Sequence, residues 1–315
     1  MKNSDILKYE VNPGECDRFP INWEKIFKRA APLAVEIGCG NGEFLVSWAR
    51  SYPDWNFLGI ELSLASGERI QSRIFSQQLE NIRILRDDAR FVLPELFADQ
   101  SISQVVMNFP DPWPKERHRD RRLITPFFID SLGGVLTLDG IFELSTDQEW
   151  YARKAQQLFS SNSLFTTREV EINPHREVST KYERKWREQY RTIYRFQTVK
   201  SRNGQIKRLL ENTIMPHVYL QCEISPAQIK MLKGLTRIQD HQVCKIKEVF
   251  SSPEDQAYLL RTVTSDRDYV QNFFILVARH DQGYIVKIDS GYQPYRTPAV
   301  KMAVQEVGRL LQATA

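Results

Sequence analysis

The chain has 315 residues, 42% of them apolar and 26% charged, with a net charge of +4. This is an ordinary composition for a soluble globular protein with length enough for two domains, and so mild a basicity does not by itself point to nucleic acid. No run of about 18 apolar residues occurs, and the opening MKNSDILKYEVNPGE lacks a signal-peptide apolar region, so membrane-spanning and secreted classes are not expected.

In chain order, LAVEIG (33–38) is a short apolar run closed by glycine and predicts a buried strand. GEFLVSWARSY (42–52) places Phe44, Leu45, Trp48 and Ala49 at helical spacing. NFLGIEL (56–62) predicts a second strand, ASGERIQSRIFSQQL (65–79) a helix with Ile70, Ile74 and Phe75 in one stripe, and NIRILRDDA (81–89) a third strand. ISQVVMNFP (102–110) is a fourth strand stopped by its proline. A helix at 126–136, a strand at 140–146, a helix at 149–161 and strands at 164–172 and 190–199 follow. The alternation predicts an α/β fold: a doubly wound, seven-stranded, mainly parallel sheet of the Rossmann-like kind, over residues 1–204. Ligands of such sheets bind beyond the carboxyl ends of the strands. Residues 205–315 change texture to antiparallel strands and a closing helix, with Thr297 expected as N-cap and Pro298 as first helical residue. They predict a second, smaller α+β domain.

Cys16, Cys39, Cys222 and Cys244 are scattered without C-x-x-C spacing. That predicts reduced thiols in a cytoplasmic protein. The five histidines, at 118, 175, 217, 241 and 280, form no metal set, and no metal is expected.

Gly38, Gly40 and Gly42 lie between the first strand and the first helix. Their G-x-G-x-G spacing differs from the G-x-G-x-x-G that grips a dinucleotide pyrophosphate. Glu36 before the turn and Glu43 after it would repel a pyrophosphate but suit a ligand carrying an amino group and a sulfonium. Glu61 ends the second strand, where an acid accepts both hydroxyls of a ribose; Asp88 ends the third, within reach of an adenine amino group. Together these residues predict S-adenosylmethionine as cofactor. The fourth strand ends in Asn108-Phe109-Pro110-Asp111-Pro112-Trp113. The prolines stiffen this turn and would hold an acceptor in line with the transferred methyl. Trp113 reads equally as a stacking platform for a base and as an anchor under the loop.

EIGCGNGEF, GIEL, NFPDPWPKERHRDRRL, STD (145–147) and STKYERKWRE (179–188) resemble the bacterial tRNA (guanine-N7)-methyltransferase family over roughly residues 15–200. The resemblance implies a class I methyltransferase acting on a guanine of the tRNA variable loop. It implies that Glu36, Glu61, Asp88 and Asp111 contact the cofactor, with Asp111 also catalytic. Lys115, Asp147, Thr180, Lys181, Tyr182 and Glu183 match its substrate-contacting positions, and the stretch from Arg117 through His118, Arg119 and Arg121 to Arg122 its RNA-contacting segment. Residues 205–315 depart from the family's minimal pattern.

The chemistry fits that implication. Guanine N7 carries a lone pair and no proton, so its methylation needs no general base, while the ring gains positive charge that a carboxylate stabilises. Five Lys and Arg against two acids stand in 115–122 and again in 181–191, the latter interleaved with Tyr182, Trp186 and Tyr190. Two such runs at one mouth suit a structured RNA. The T-x-x-E spacing at Thr180 reads also as a helix capping box, and Asp147 as an early-turn acid. Competing readings are a methyltransferase acting on another nucleobase position, a non-catalytic RNA-binding protein and, third, a nicotinamide oxidoreductase. A monomer and a homodimer are both compatible with the sequence.

Overall fold

The computed structural model describes residues 8–16, 18–176, 178, 181–210, 214, 216–252, 254, 256–291 and 293–313; of Lys181, Tyr182 and Arg187 it describes the backbone alone. The chain divides into two compact units. One is made of Met1–Pro13 and Pro20–Arg208, the other of Gly14–Phe19 and Leu209–Ala315.

In the first unit the elements run β1 (Glu10–Val11), α1 (Trp23–Phe27), β2 (Leu33–Ile37), α2 (Glu43–Ser51), β3 (Asn56–Ile60), α3 (Leu64–Ser76), β4 (Ile82–Leu85), α4 (Ala89–Leu96), β5 (Ile102–Asn108), α5 (Pro126–Val135), β6 (Leu136–Thr146), α6 (Glu149–Ser160), β7 (Phe165–Thr167), β8 (Glu171–Ile172), α7 (Lys181–Glu188) and β9 (Tyr194–Lys200). The sheet order is β1-β4-β3-β2-β5-β6-β9-β7, with β8 also on β9. The strands from β1 to β6 pair in parallel. The β9 strand runs antiparallel to β6, β7 and β8. The seven expected strands are joined by β1 and β8, two residues each, so the sheet has nine. The stretch 164–172 is broken into β7 and β8 rather than continuous.

Every residue of β2 and β3 is buried, as expected of central strands covered on both faces. Phe44, Leu45, Trp48 and Ala49 of α2 and Ile70 and Ile74 of α3 join Phe57, Ile82 and Ile84 in one core cluster. Full burial of each such large side chain contributes about 1.5–3 kcal/mol. The β2 and β5 strands lie side by side in parallel, and from this pair the chain winds outward in both directions. That is the switch point, and the ends of β2 and β5 border one crevice.

In the second unit β10 (Val218–Leu220), α8 (Pro226–Met231), β11 (Thr236–Gln239), β12 (Gln242–Ser252), β13 (Ala257–Asp266), β14 (Tyr269–His280), β15 (Gly283–Ile288) and α9 (Pro298–Ala313) form a sheet of order β10-β15-β14-β13-β12-β11 and its helices. Leu260, Ile275 and Val286 meet Val300, Val304, Val307 and Leu311 of α9 in a core of their own. Thr297 does not serve as the expected side-chain cap. Its hydroxyl accepts from Gln271, and the free N–H of Ala299 is taken by the buried Asp266 carboxylate at 2.9 Å. Among the described residues no helix is long and apolar enough to cross a membrane, and no group of three or more His, Cys, Asp or Glu is placed to hold a metal ion.

Candidate active site

Beyond β2 the backbone enters the left-handed region at Gly38, Gly40 and Gly42, with φ of 72°, 53° and 72°. A Cβ at Gly38 or Gly40 would meet open space, so there the dihedral, not crowding, selects glycine. At Gly42 crowding acts as well, since a Cβ would fall 2.2 Å from the Ile70 side chain. Glu61, just past β3, braces this turn: one carboxylate oxygen accepts from Gly40 N at 2.8 Å and the other from Ser63 N at 2.9 Å. Leu62 and Leu64 follow it and are 71% and 57% exposed, leaving apolar surface beside an acid. Asp88 caps α4, accepting from Arg90 N at 2.9 Å, and also holds the Arg90 guanidinium at 2.6 Å.

Glu36 points from β2 into the interior and is 2% exposed. Its Oε1 accepts from Asn108 Nδ2 at 2.9 Å; its Oε2 is buried and has no partner among the described residues. Burial pushes the carboxyl up to about 8, against the Asn108 hydrogen bond and the nearby charge of Arg176. Burial and the Glu36 and Glu61 carboxylates likewise hold the Cys39 thiol well above its ordinary range. Asn108 Oδ1 in turn accepts from Arg176 Nη1 at 2.9 Å. Arg176 Nη2 lies 2.8 Å from Glu143 of β6, and Nη1 lies 3.5 Å from Glu183 of α7. Gln197 of β9 completes the row by donating to Glu143 at 2.7 Å.

The turn after Asn108 is held against its own backbone preference. Phe109 and Trp113 have φ of 50° and 46°, a region costly to bulky side chains, by about 1–3 kcal/mol each. Phe109 N donates to Ser145 O at 2.7 Å. Arg122 donates to Trp113 O at 3.0 and 3.1 Å, lies 3.4 Å from Glu116 and packs over the Trp150 ring. Trp113 is itself enclosed by the Arg121 guanidinium, 4.7 Å from its ring centroid, and by His118. Of the two readings of Trp113, the structure supports the anchor. Asp111, within this turn, is exposed and has no hydrogen-bonding or ionic partner among the described residues.

The expected RNA-contacting residues therefore separate. Lys115, Arg117, Arg119 and Arg121 are exposed on or beside the 3-10 helix Glu116–Arg121, and His118 is half-buried against Trp113. Arg122 is only 5% exposed; its guanidinium donates to the carbonyls of Trp113 and Pro114 and clamps the turn. Asp147 accepts from Arg191 Nη1 at 3.1 Å, and Arg191 stacks on Trp186 of α7. Asp147 is thus paired with a residue that follows α7. Glu183 is 0% exposed and turned toward Arg176. Thr180 lies outside the described residues, as do the side chains of Lys181 and Tyr182. Arg176, Glu143 and Arg191 were not singled out from sequence. Only the place of Arg176, four residues before the T-K-Y-E motif, could have drawn attention to it.

Residues 30–196 match a family model described as a putative methyltransferase, and the glycine turn with its strand-end acids is what such a class requires at a Rossmann-like switch point. The chain is thus a methyltransferase by class. The tRNA (guanine-N(7)-)-methyltransferase of Thermotoga maritima is 37% identical over 310 residues, covering 98% of each chain. That of Thermus thermophilus is 33% identical over 304 residues, covering 96% of each. The chain belongs to the tRNA (guanine-N7)-methyltransferase family. The relative from Nitrosococcus oceani is 38% identical over 170 residues, 54% of this chain and 72% of that one. Among solved structures, the 16S rRNA methyltransferase KamB is similar over 57% of this chain and 93% of its own, at 12% identity and a TM-score of 0.46.

Proposed function

We propose that the chain transfers a methyl group from S-adenosylmethionine to N7 of a guanine in tRNA, in the variable loop, and works in the cytoplasm. The observation that carries this reading is the buried Glu36 oxygen left open at the switch point, with the exposed carboxylate of Asp111 three residues past the end of the neighbouring β5. The residues fit the donor. An open, buried acceptor suits an ammonium group, Glu61 at the end of β3 suits a ribose, and the exposed Leu62 and Leu64 suit the face of an adenine. Asp88 and the backbone of Gly38 and Gly40 complete the pocket. When bound, S-adenosylmethionine supplies the sulfonium methyl.

Asp111 then acts on the acceptor. Its carboxylate is unpaired, and its backbone is pinned by two prolines, a strained Phe109 and Trp113, and the Arg122 clamp. It stabilises the positive charge that develops on the purine, and does so without reorganising. Lys115, Arg117, Arg119 and Arg121 take phosphates beside it.

The test is methyl transfer from labelled donor to unmodified tRNA, with nucleoside analysis by mass spectrometry, run beside Asp111→Asn. The expected product is 7-methylguanosine, and the variant should lose about 100-fold in turnover with tRNA affinity retained. A different methylated nucleoside would replace the acceptor reading, and full turnover by the variant would remove the electrostatic role of Asp111.

A further inference from the structure

Arg176 joins four elements from a loop. Besides its bonds to Asn108 of β5, Glu143 of β6 and Glu183 of α7, its guanidinium lies 4.8 Å from the ring centroid of Phe44 in α2. Its side chain is 6% exposed. A guanidinium can only donate. It therefore obliges Asn108 to turn its carbonyl oxygen toward Arg176 and its amide hydrogens toward Glu36, which is the orientation observed. One oxygen of Glu36 is occupied in this way, and Oε2 is left buried and open. Around the single guanidinium stand two carboxylates, Glu143 and Glu183, and beyond Asn108 the Glu36 carboxyl, which burial holds protonated below about 8 and which can ionise toward a cation. A cation arriving at Oε2 offsets the surplus.

We propose that Arg176 is a positioning residue for the methyl donor: by holding Asn108 it directs the open oxygen of Glu36 at a cationic ligand, and it fastens α7 to the same floor. This rests on the S-adenosylmethionine reading above and adds a residue that lies outside the strand ends and the glycine turn. The groups that face Glu36 agree with it in sign. Asn108, Arg176 and the backbone N–H of Leu45 favour the carboxylate, whereas burial and Glu61 oppose it, and Cys39 is itself held protonated beside it.

The experiment is calorimetric titration of S-adenosylmethionine into the full chain along a pH series, for wild type, Arg176→Lys, Arg176→Ala, Asn108→Ala and the double alanine variant. Arg176→Ala should weaken the donor at least about ten-fold and move the midpoint of its pH dependence upward, because Glu36 loses a neighbouring cation. Arg176→Lys should restore the midpoint, which needs only charge, but regain part of the affinity, because an ammonium cannot fork between Asn108 and Glu143. The double variant should lose no more than the weaker single one, since Arg176 acts through Asn108. Should Arg176→Ala fail to fold, Arg176→Lys and Asn108→Ala decide: wild-type donor affinity in either overturns the proposal. A lowered Tm with unchanged affinity and midpoint in Arg176→Ala also overturns it, as does a strictly additive double variant. A chain that behaves as expected here yet methylates no tRNA would sink the acceptor reading alone, whereas a wild type that binds no donor would sink both.

Discussion

A carboxyl that titrates at about 8 sits in the free protein mostly protonated at neutral pH, and this has a consequence for stability. The folded chain keeps a proton on Glu36 that the unfolded chain releases near the ordinary 4.5. The associated stabilisation is complete below that value and is lost as pH rises through about 8. Glu36→Gln preserves an acceptor for Asn108 and removes the titration. In thermal melts without donor, the variant should show a flatter pH profile and, above pH 8, exceed wild type by up to about 5 kcal/mol. It should bind S-adenosylmethionine poorly at every pH. Parallel melting profiles for the two proteins would mean that Glu36 is ionised throughout. Much of this residue's role is visible in sequence, since an acid directly before a glycine turn at a strand end is a local pattern. Its open oxygen is not, because that depends on Asn108, 72 positions away, and on Arg176, 68 beyond that. No spacing rule spans such distances.

At the scale of elements, the turn after β5 shows that one basic run can contain two kinds of arginine. Arg122 clamps the turn from within, and Arg121 covers Trp113 from outside. Arg122→Ala leaves the carbonyls of Trp113 and Pro114 without their donor and should cost about 2–3 kcal/mol. Its tRNA salt slope should stay near wild type. Arg121→Ala should change Tm little, by the ~0.5–1 kcal/mol of an exposed cation–π contact, but lower the slope by about 1. Melting curves and binding across a salt series separate the two, and a reversed pattern would reassign them. Elements were readable where burial imprinted a continuous apolar run, as in β2 and β3, or a helical period, as in α2 and α3. The α4 helix escaped notice because Pro94 interrupts it, a residue that removes a helical donor. The β11 strand escaped because all four of its residues are exposed, which leaves no alternation to detect.

Across the whole molecule, the charge that should meet RNA is concentrated in one unit. The segments 115–122 and 181–191 each hold five Lys and Arg against two acids, while residues 209–315 hold twelve against eleven. The second unit has its own apolar core, and the residues proposed here for donor and acceptor all belong to the first. On this charge count the second unit is expected to add little to tRNA affinity. Three of its exposed lysines, Lys230 of α8 and Lys245 and Lys247 of β12, give the test without cutting the chain, which matters because Gly14–Phe19 belongs to that unit and Phe19 packs edge-on against Tyr295. Replacing the three lysines with alanine should leave both tRNA affinity and the slope of log affinity against log salt unchanged, since each phosphate contact contributes about 1 to that slope. A slope reduced by two or more would make this unit a second RNA surface, and the electrostatic footprint of the enzyme would then extend over both units.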